Sequence, residues 1–147
     1  MIVKFFYIFA LIITALIGWS CYINYTAMTC PKKGSFIGWK CAYYKPNPAF
    51  EGGAEFVLVK LEIPEDAKRS SAPHRRKCRC SKAKVLEIVT LDEEKPIDMA
   101  HSLHDPSFVY RVGEEVFVDN FCEDRMMECA AGIHFFMEKE EAMRYIQ

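Results

Sequence analysis

The sequence predicts an α+β fold: a small, mostly antiparallel sheet with one C-terminal helix, preceded by an N-terminal hydrophobic helix. Three observations point there. Several short segments alternate apolar and polar residues with a period of two, the signature of half-buried strands. Proline, glycine and polar clusters break them at short intervals. Beyond the N-terminus only 138–146 carries helical spacing, with Ala142, Met143 and Ile146 on one side.

The N-terminal stretch comes first. Residues 1–31 carry a single charge, Lys4. Residues 5–23 are almost wholly apolar, and as a helix 19 residues would reach about 28 Å, near the thickness of a bilayer's hydrocarbon core. The expectation is a transmembrane anchor with Trp19, Tyr22 and Tyr25 at the interface. A signal peptide cleaved before Cys21, or a lipoprotein site at Cys21, are the alternatives. The localisation expected is therefore membrane, single-pass or signal-directed, with the side of the domain undecided. Residues 1–30 form this anchor or signal segment and 35–147 a single α+β domain.

Within the domain, 35–44 (SFIGWKCAYY) is aromatic-rich and strand-like. Residues 55–63 alternate, with Val57, Val59, Leu61 and Ile63 on the face expected to be buried, and Pro64 ends the strand. Residues 65–77 are polar, and 83–91 form another strand. Residues 108–112 and 115–119 flank Gly113-Glu114 and suggest a hairpin. A short strand at 132–136 (GIHFF) is apolar on both faces and expected to be central.

The net charge of −1 hides an asymmetry. Residues 1–91 hold 14 Lys and Arg against 6 Asp and Glu, a sum of +8; residues 92–147 hold 5 against 14, a sum of −9. Such a split suits a bipolar surface, or two halves that interleave and cancel locally. Composition is otherwise that of an ordinary globular chain, with no repeat and no low-complexity linker. Beyond Cys21 there are six cysteines, an even number that fits disulfides in an exported domain or buried thiols in a reducing compartment.

The strongest polar cluster is HRRKCRCSKAK, residues 74–84. Arg75, Arg76, Lys77 and Arg79 are the candidate anion- or partner-binding residues, for an acidic protein, lipid or nucleic acid. Alternation would turn Cys78 and Cys80 one way and Lys77 and Arg79 the other, so a solvated basic face is the plainer alternative. No glycine-rich cradle or interleaved aromatics accompany the cluster. The cysteine and histidine spacings (Cys78-x-Cys80, Cys122-x6-Cys129, His101-x2-His104) lack the paired knuckle of structural zinc sites, so no metal and no cofactor are expected. His134, set among phenylalanines, reads first as a packed histidine with one hydrogen bond.

VLVKLEIPEDAKRSSAPHRRKCRCSKAKVLEI (57–88), FVYRVGEEVFVDNF (108–121) and ECAAGIHFFMEKEEAMRYI (128–146) together resemble an uncharacterised domain of phage and large-virus proteins, often found after pentapeptide repeats. The resemblance implies a compact accessory domain of unknown function. Here a hydrophobic segment stands where those repeats would be. Locally, GIHFF with its following helix is similar to ADP-ribosyltransferase-like folds. That similarity implies a nicotinamide pocket with His134 in the lining aromatic position and His101 as the substrate-gripping histidine. The later strand that carries the catalytic glutamate has no counterpart, since only eleven residues follow Phe136. The expected function is thus a membrane-tethered binding or accessory module, leaning away from an enzyme. The alternatives are an NAD-pocket enzyme or a structural virion or envelope component.

Overall fold

The computed structural model describes residues 2–26, 29–45, 53–73, 75–92 and 95–146. Helix α1 (Ile2–Thr26) leads into strands β1 (Phe36–Tyr44), β2 (Glu55–Ile63), β3 (Arg69–Ser71), β4 (Lys77–Cys80), β5 (Lys82–Thr90), β6 (Met99–Ser102), β7 (Val109–Arg111), β8 (Glu115–Phe117) and β9 (Ile133–Phe136), then helix α2 (Lys139–Arg144). The mostly antiparallel sheet and the short C-terminal helix are as the sequence predicts.

The N-terminal expectation needs correction. Side chains of α1 are described over residues 7–20, a run of 14 residues. Among the described residues no helix is long and apolar enough to cross a membrane. Trp19 is exposed. The side chains of Tyr22 and Tyr25 lie outside the described residues.

Among the described residues every strand pairing is antiparallel. The longest ladder joins β1 to β2 from Phe36↔Ile63 to Tyr44↔Glu55. The inward face of β2 is the expected one: Val57, Val59, Leu61 and Ile63 are all fully buried, and Leu58 joins them from the other face. Strand β5 continues the sheet with a bulge opposite Lys60/Leu61. The bulge moves the inward phase from Ala83 and Val85 to Ile88 and Thr90 and leaves Leu86 in solvent.

The hairpin expected at Gly113-Glu114 does not form. Strand β7 pairs with β6, and β8 pairs with β5. Between them Gly113 N–H donates to Val85 O at 2.8 Å, and Val85 N–H donates to Glu114 O at 2.9 Å. The apolar alternation that suggested two partners facing each other instead carries one chain across to two other strands. The arms β1–β2–β5–β8 and β1–β6–β7 end in β8 and β7, edge strands that are joined through Gly113-Glu114 and not paired with each other. A second branch, β3–β4–β9, joins β1 through Trp39↔Phe136.

Gly38 shows how tightly this junction packs. A Cβ there would lie 2.6 Å from the Phe135 ring and 2.9 Å from Ile63 Cδ1. Phe135 is fully buried and cannot swing away. Gly38→Val is expected to cost about 1–3 kcal/mol by overpacking, read as a lower urea midpoint. Adding Phe135→Leu to that variant should recover part of the loss, a coupling that distant residues would not show.

Candidate functional site: a pocket at the fork of the sheet

Along its open side β1 pairs first with β9, at Trp39, and then with β6, at Ala42 and Tyr43. The two branches part at Lys40 and Cys41. The parting leaves a cavity of about 640 Å³ between the β9 branch and the β6–β7 hairpin. That size suits a small-molecule ligand. Phe108, Tyr110, Phe117 and Ile133 give it apolar walls; Lys40, Lys77, His104 and His134 give it polar ones.

Lys40 stands at the base of the fork. It sits mid-strand in an apolar, aromatic run, so the sheet carries its stem inward. Only 8% of the residue is exposed. Its Nζ donates to His134 O at 3.2 Å and lies 5.7 Å from the centre of the Tyr110 ring. Burial, and then the positive charge of Lys77, lower its pKa from 10.5 to about 8. Lys77 enters from β4, its Nζ 5.4 Å from the centre of the Tyr145 ring. Among the described residues neither amine is ion-paired with a carboxylate. Asp105, the acid in the lining, is turned to its own loop, where it accepts from Ser107 N–H at 3.0 Å and Ser107 Oγ at 2.6 Å. Those bonds hold its carboxyl below the usual range.

His134 lines the pocket beside Lys40. Its Nε2 lies 3.2 Å from Glu128 O, so Nε2 carries the proton and donates. Burial, with the charges of Lys77 and Lys40 adding to it, lowers its pKa to about 4. An unfolded histidine titrates near 6.5. Between those values the unfolded chain binds the extra proton, so this stabilising contribution is full above pH 6.5 and is lost as pH falls towards 4. The wild type should therefore lose Tm more steeply over pH 6.5 to 4 than His134→Gln; equal slopes would discard this assignment. His104 Nε2 and Tyr145 Oη, 3.1 Å apart, line another part of the wall.

The basic cluster read from the sequence is dispersed. Arg75 is largely exposed, 3.5 Å from Glu128, and Arg76 is ion-paired to Glu141. Arg79 is 2% exposed and turns into the fold. There it donates to Cys122 O, Asp124 O and Ala131 O at 2.8–2.9 Å and to Ser70 Oγ at 3.3 Å. Of the four, only Lys77 lines the pocket, where it meets His134. His101 stays outside, its Nδ1 2.9 Å from Pro106 O and its ring stacked on Tyr43. His74 lies outside the described residues. Lys40 is the site residue that sequence reasoning missed. Its signal was there: one lysine between Trp39 and Cys41 in an otherwise apolar strand.

Gly132, which opens the GIHFF run, adopts φ 153°, and a Cβ there would meet Arg79 Cβ and the Phe121 ring at 3.2 Å. The glycine lets residues 129–133, part of the pocket wall, pass close over β4. Cys30, Cys41, Cys78, Cys80, Cys122 and Cys129 are free thiols, the first four buried. Among the described residues no group of three or more His, Cys, Asp or Glu could hold a metal ion.

Comparison with known proteins agrees with the resemblance read from the sequence. Residues 26–142 match the family model described as a family of unknown function, DUF5758. The chain is also similar to an uncharacterised protein, L223, of Acanthamoeba polyphaga mimivirus, with 34% identity over 96 residues. That alignment covers 60% of this chain and 61% of the viral protein, so this chain spans about three fifths of its relative's length. No solved structure matches the chain. The pattern of strands, basic segment and GIHFF-led helix is thus that of a domain known from a large virus, and the chain belongs to the DUF5758 family of unknown function.

Proposed function

We propose that this domain is a binding module and that its fork pocket takes a small ligand with an anionic group on an apolar body. One observation carries the reading: two amines, Lys40 and Lys77, line one cavity, and among the described residues no carboxylate is ion-paired with either. Like charges held together in a site of reduced dielectric repel, and the charge of Lys77 adds to burial in lowering the tendency of Lys40 to hold a proton. A bound anion relieves that repulsion and accepts charge-assisted hydrogen bonds. The apolar walls at Phe108, Phe117 and Ile133 suit a ring or short chain attached to the anion.

Phenyl phosphate is a suitable probe, with phenol as the uncharged control. Calorimetric titration of the full chain at low salt should show saturable binding of the phosphate and none of the phenol. Lys77→Ala should weaken it by about tenfold or more, the loss of one charge-assisted bond. Absence of binding to phenyl phosphate, or unchanged affinity in both Lys77→Ala and Lys40→Met, would end this reading.

A further inference from the structure

Anion binding alone leaves the placing of Lys40 unexplained. An amine meant only to attract an anion works as well at the mouth of a pocket, where water keeps it charged at no cost. Lys40 is instead at the base, 8% exposed, held between the His134 carbonyl and the Tyr110 ring. The second amine, Lys77, comes from a different strand and lines the same cavity. One cation to hold an anionic group and one desolvated amine beside it is an arrangement in which the second amine acts as a nucleophile.

We propose that Lys40 forms an imine with the carbonyl carbon of an anionic aldehyde or ketone whose charged group is held by Lys77. This rests on the anion-pocket reading above and names the ligand class more narrowly. In the first step the Lys40 nitrogen lone pair attacks the carbonyl carbon. The C–N bond forms, and the carbonyl oxygen takes up a proton as nitrogen loses one. In the second step that hydroxyl leaves as water and the C=N bond forms. The sum is amine plus carbonyl to imine plus water, with no oxidant or reductant. Water supplies and accepts the protons exchanged in the two steps. The supply of neutral amine follows from the environment: burial and Lys77 bring Lys40 to a pKa of about 8. A surface lysine with a pKa near 10.4 is neutral in only about one molecule in a thousand at pH 7.4.

Pyridoxal 5′-phosphate, an anionic aldehyde, tests this, with pyridoxine 5′-phosphate as the same anion without the aldehyde. The full chain is mixed with one equivalent of the aldehyde, reduced with borohydride, and its peptides are mapped by mass spectrometry. The expected result is one predominant adduct on Lys40. It should be suppressed by excess pyridoxine phosphate and absent from Lys40→Met. Its rate of formation should rise with a midpoint near pH 8. Adducts scattered over surface amines, or centred on Lys77, overturn the imine inference. If pyridoxine phosphate nevertheless binds and Lys77→Ala weakens it, the anion-pocket reading stands alone. If pyridoxine phosphate does not bind and the Lys40 adduct is absent, both fall.

Discussion

Arg79→Ala should lower the unfolding free energy by about 2–3 kcal/mol, the order for losing the charge-assisted hydrogen bonds and packing of a buried guanidinium. The side chain is all but inaccessible, and its guanidinium gives four hydrogen bonds. Three go to main-chain carbonyls of Cys122, Asp124 and Ala131, which belong to the irregular segment between β8 and β9. Removing the guanidinium takes that donor from the Cys122 and Asp124 carbonyls, while Ala131 O keeps the Cys122 N–H at 3.2 Å. The segment also packs its Phe121 ring 5.4 Å from the guanidinium. Its C-terminal end, residues 129–133, walls the fork pocket, so ligand affinity should fall with stability. Arg79→Lys should not restore the wild type, because one ammonium cannot reproduce a planar fork that serves carbonyls on both nitrogens. Urea unfolding checks all three statements. Arg75→Ala, two thirds exposed at its side chain, is the control and should leave the midpoint unchanged. An Arg79→Ala midpoint as close to wild type as that control would refute the clamp.

Lys40→Met is expected to do the opposite: raise stability while weakening ligand binding. Bringing the amine from 10.5 to about 8 corresponds to about 3 kcal/mol of penalty on its charged form. Methionine matches the unbranched stem and removes the charge. It also removes the bond to His134 O, worth about 1 kcal/mol. The net gain at neutral pH is then about 2 kcal/mol. The sign can be checked by titration. The folded amine releases its proton near pH 8 and the unfolded one near 10.5, so between those values the unfolded chain holds the extra proton. Wild-type stability therefore rises across that window relative to the variant. The advantage of Lys40→Met should be full below pH 8 and shrink towards pH 10.5. A variant less stable than wild type at pH 7 would mean that Lys40 is a structural donor. A more stable variant that binds phenyl phosphate more weakly would mark the residue as one held at a cost for its chemistry.

The strands were readable wherever alternation is strict. Residues 55–63 could be assigned a buried face because Val57, Val59, Leu61 and Ile63 repeat every second position, and all four are buried. The short strands Arg69–Ser71 and Met99–Ser102 carry too few apolar residues to show a period, so their pairing with β4 and β1 came only from the fold. The apolar N-terminal run was legible as helix, yet its composition did not decide whether it spans a bilayer, and among the described residues no helix is long and apolar enough to cross one. The turn at Gly113 was legible as a turn, but a turn's chemistry does not choose the partners of the strands it joins. Here the main chain of Val85 takes both the Gly113 and Glu114 groups and draws the two strands to different neighbours.

For the site, sequence by itself determined two ingredients, a basic run at 75–79 and a histidine among phenylalanines, and left the lysine of the aromatic strand unmarked. It also determined family membership, since that rests on residue order along the chain. Only the tertiary structure decided which of those groups meet. Four neighbouring basic residues have three different fates because strand alternation fixes only the side of the sheet, while the neighbouring segment fixes the environment. Arg79 meets main-chain carbonyls, Arg75 and Arg76 meet Glu128 and Glu141, and Lys77 meets the pocket. Lys40 and His134, 94 positions apart, touch because β1 changes partner between Trp39 and Ala42. A fork of that kind is a property of hydrogen-bonded register between distant strands, and no local pattern of residues encodes it.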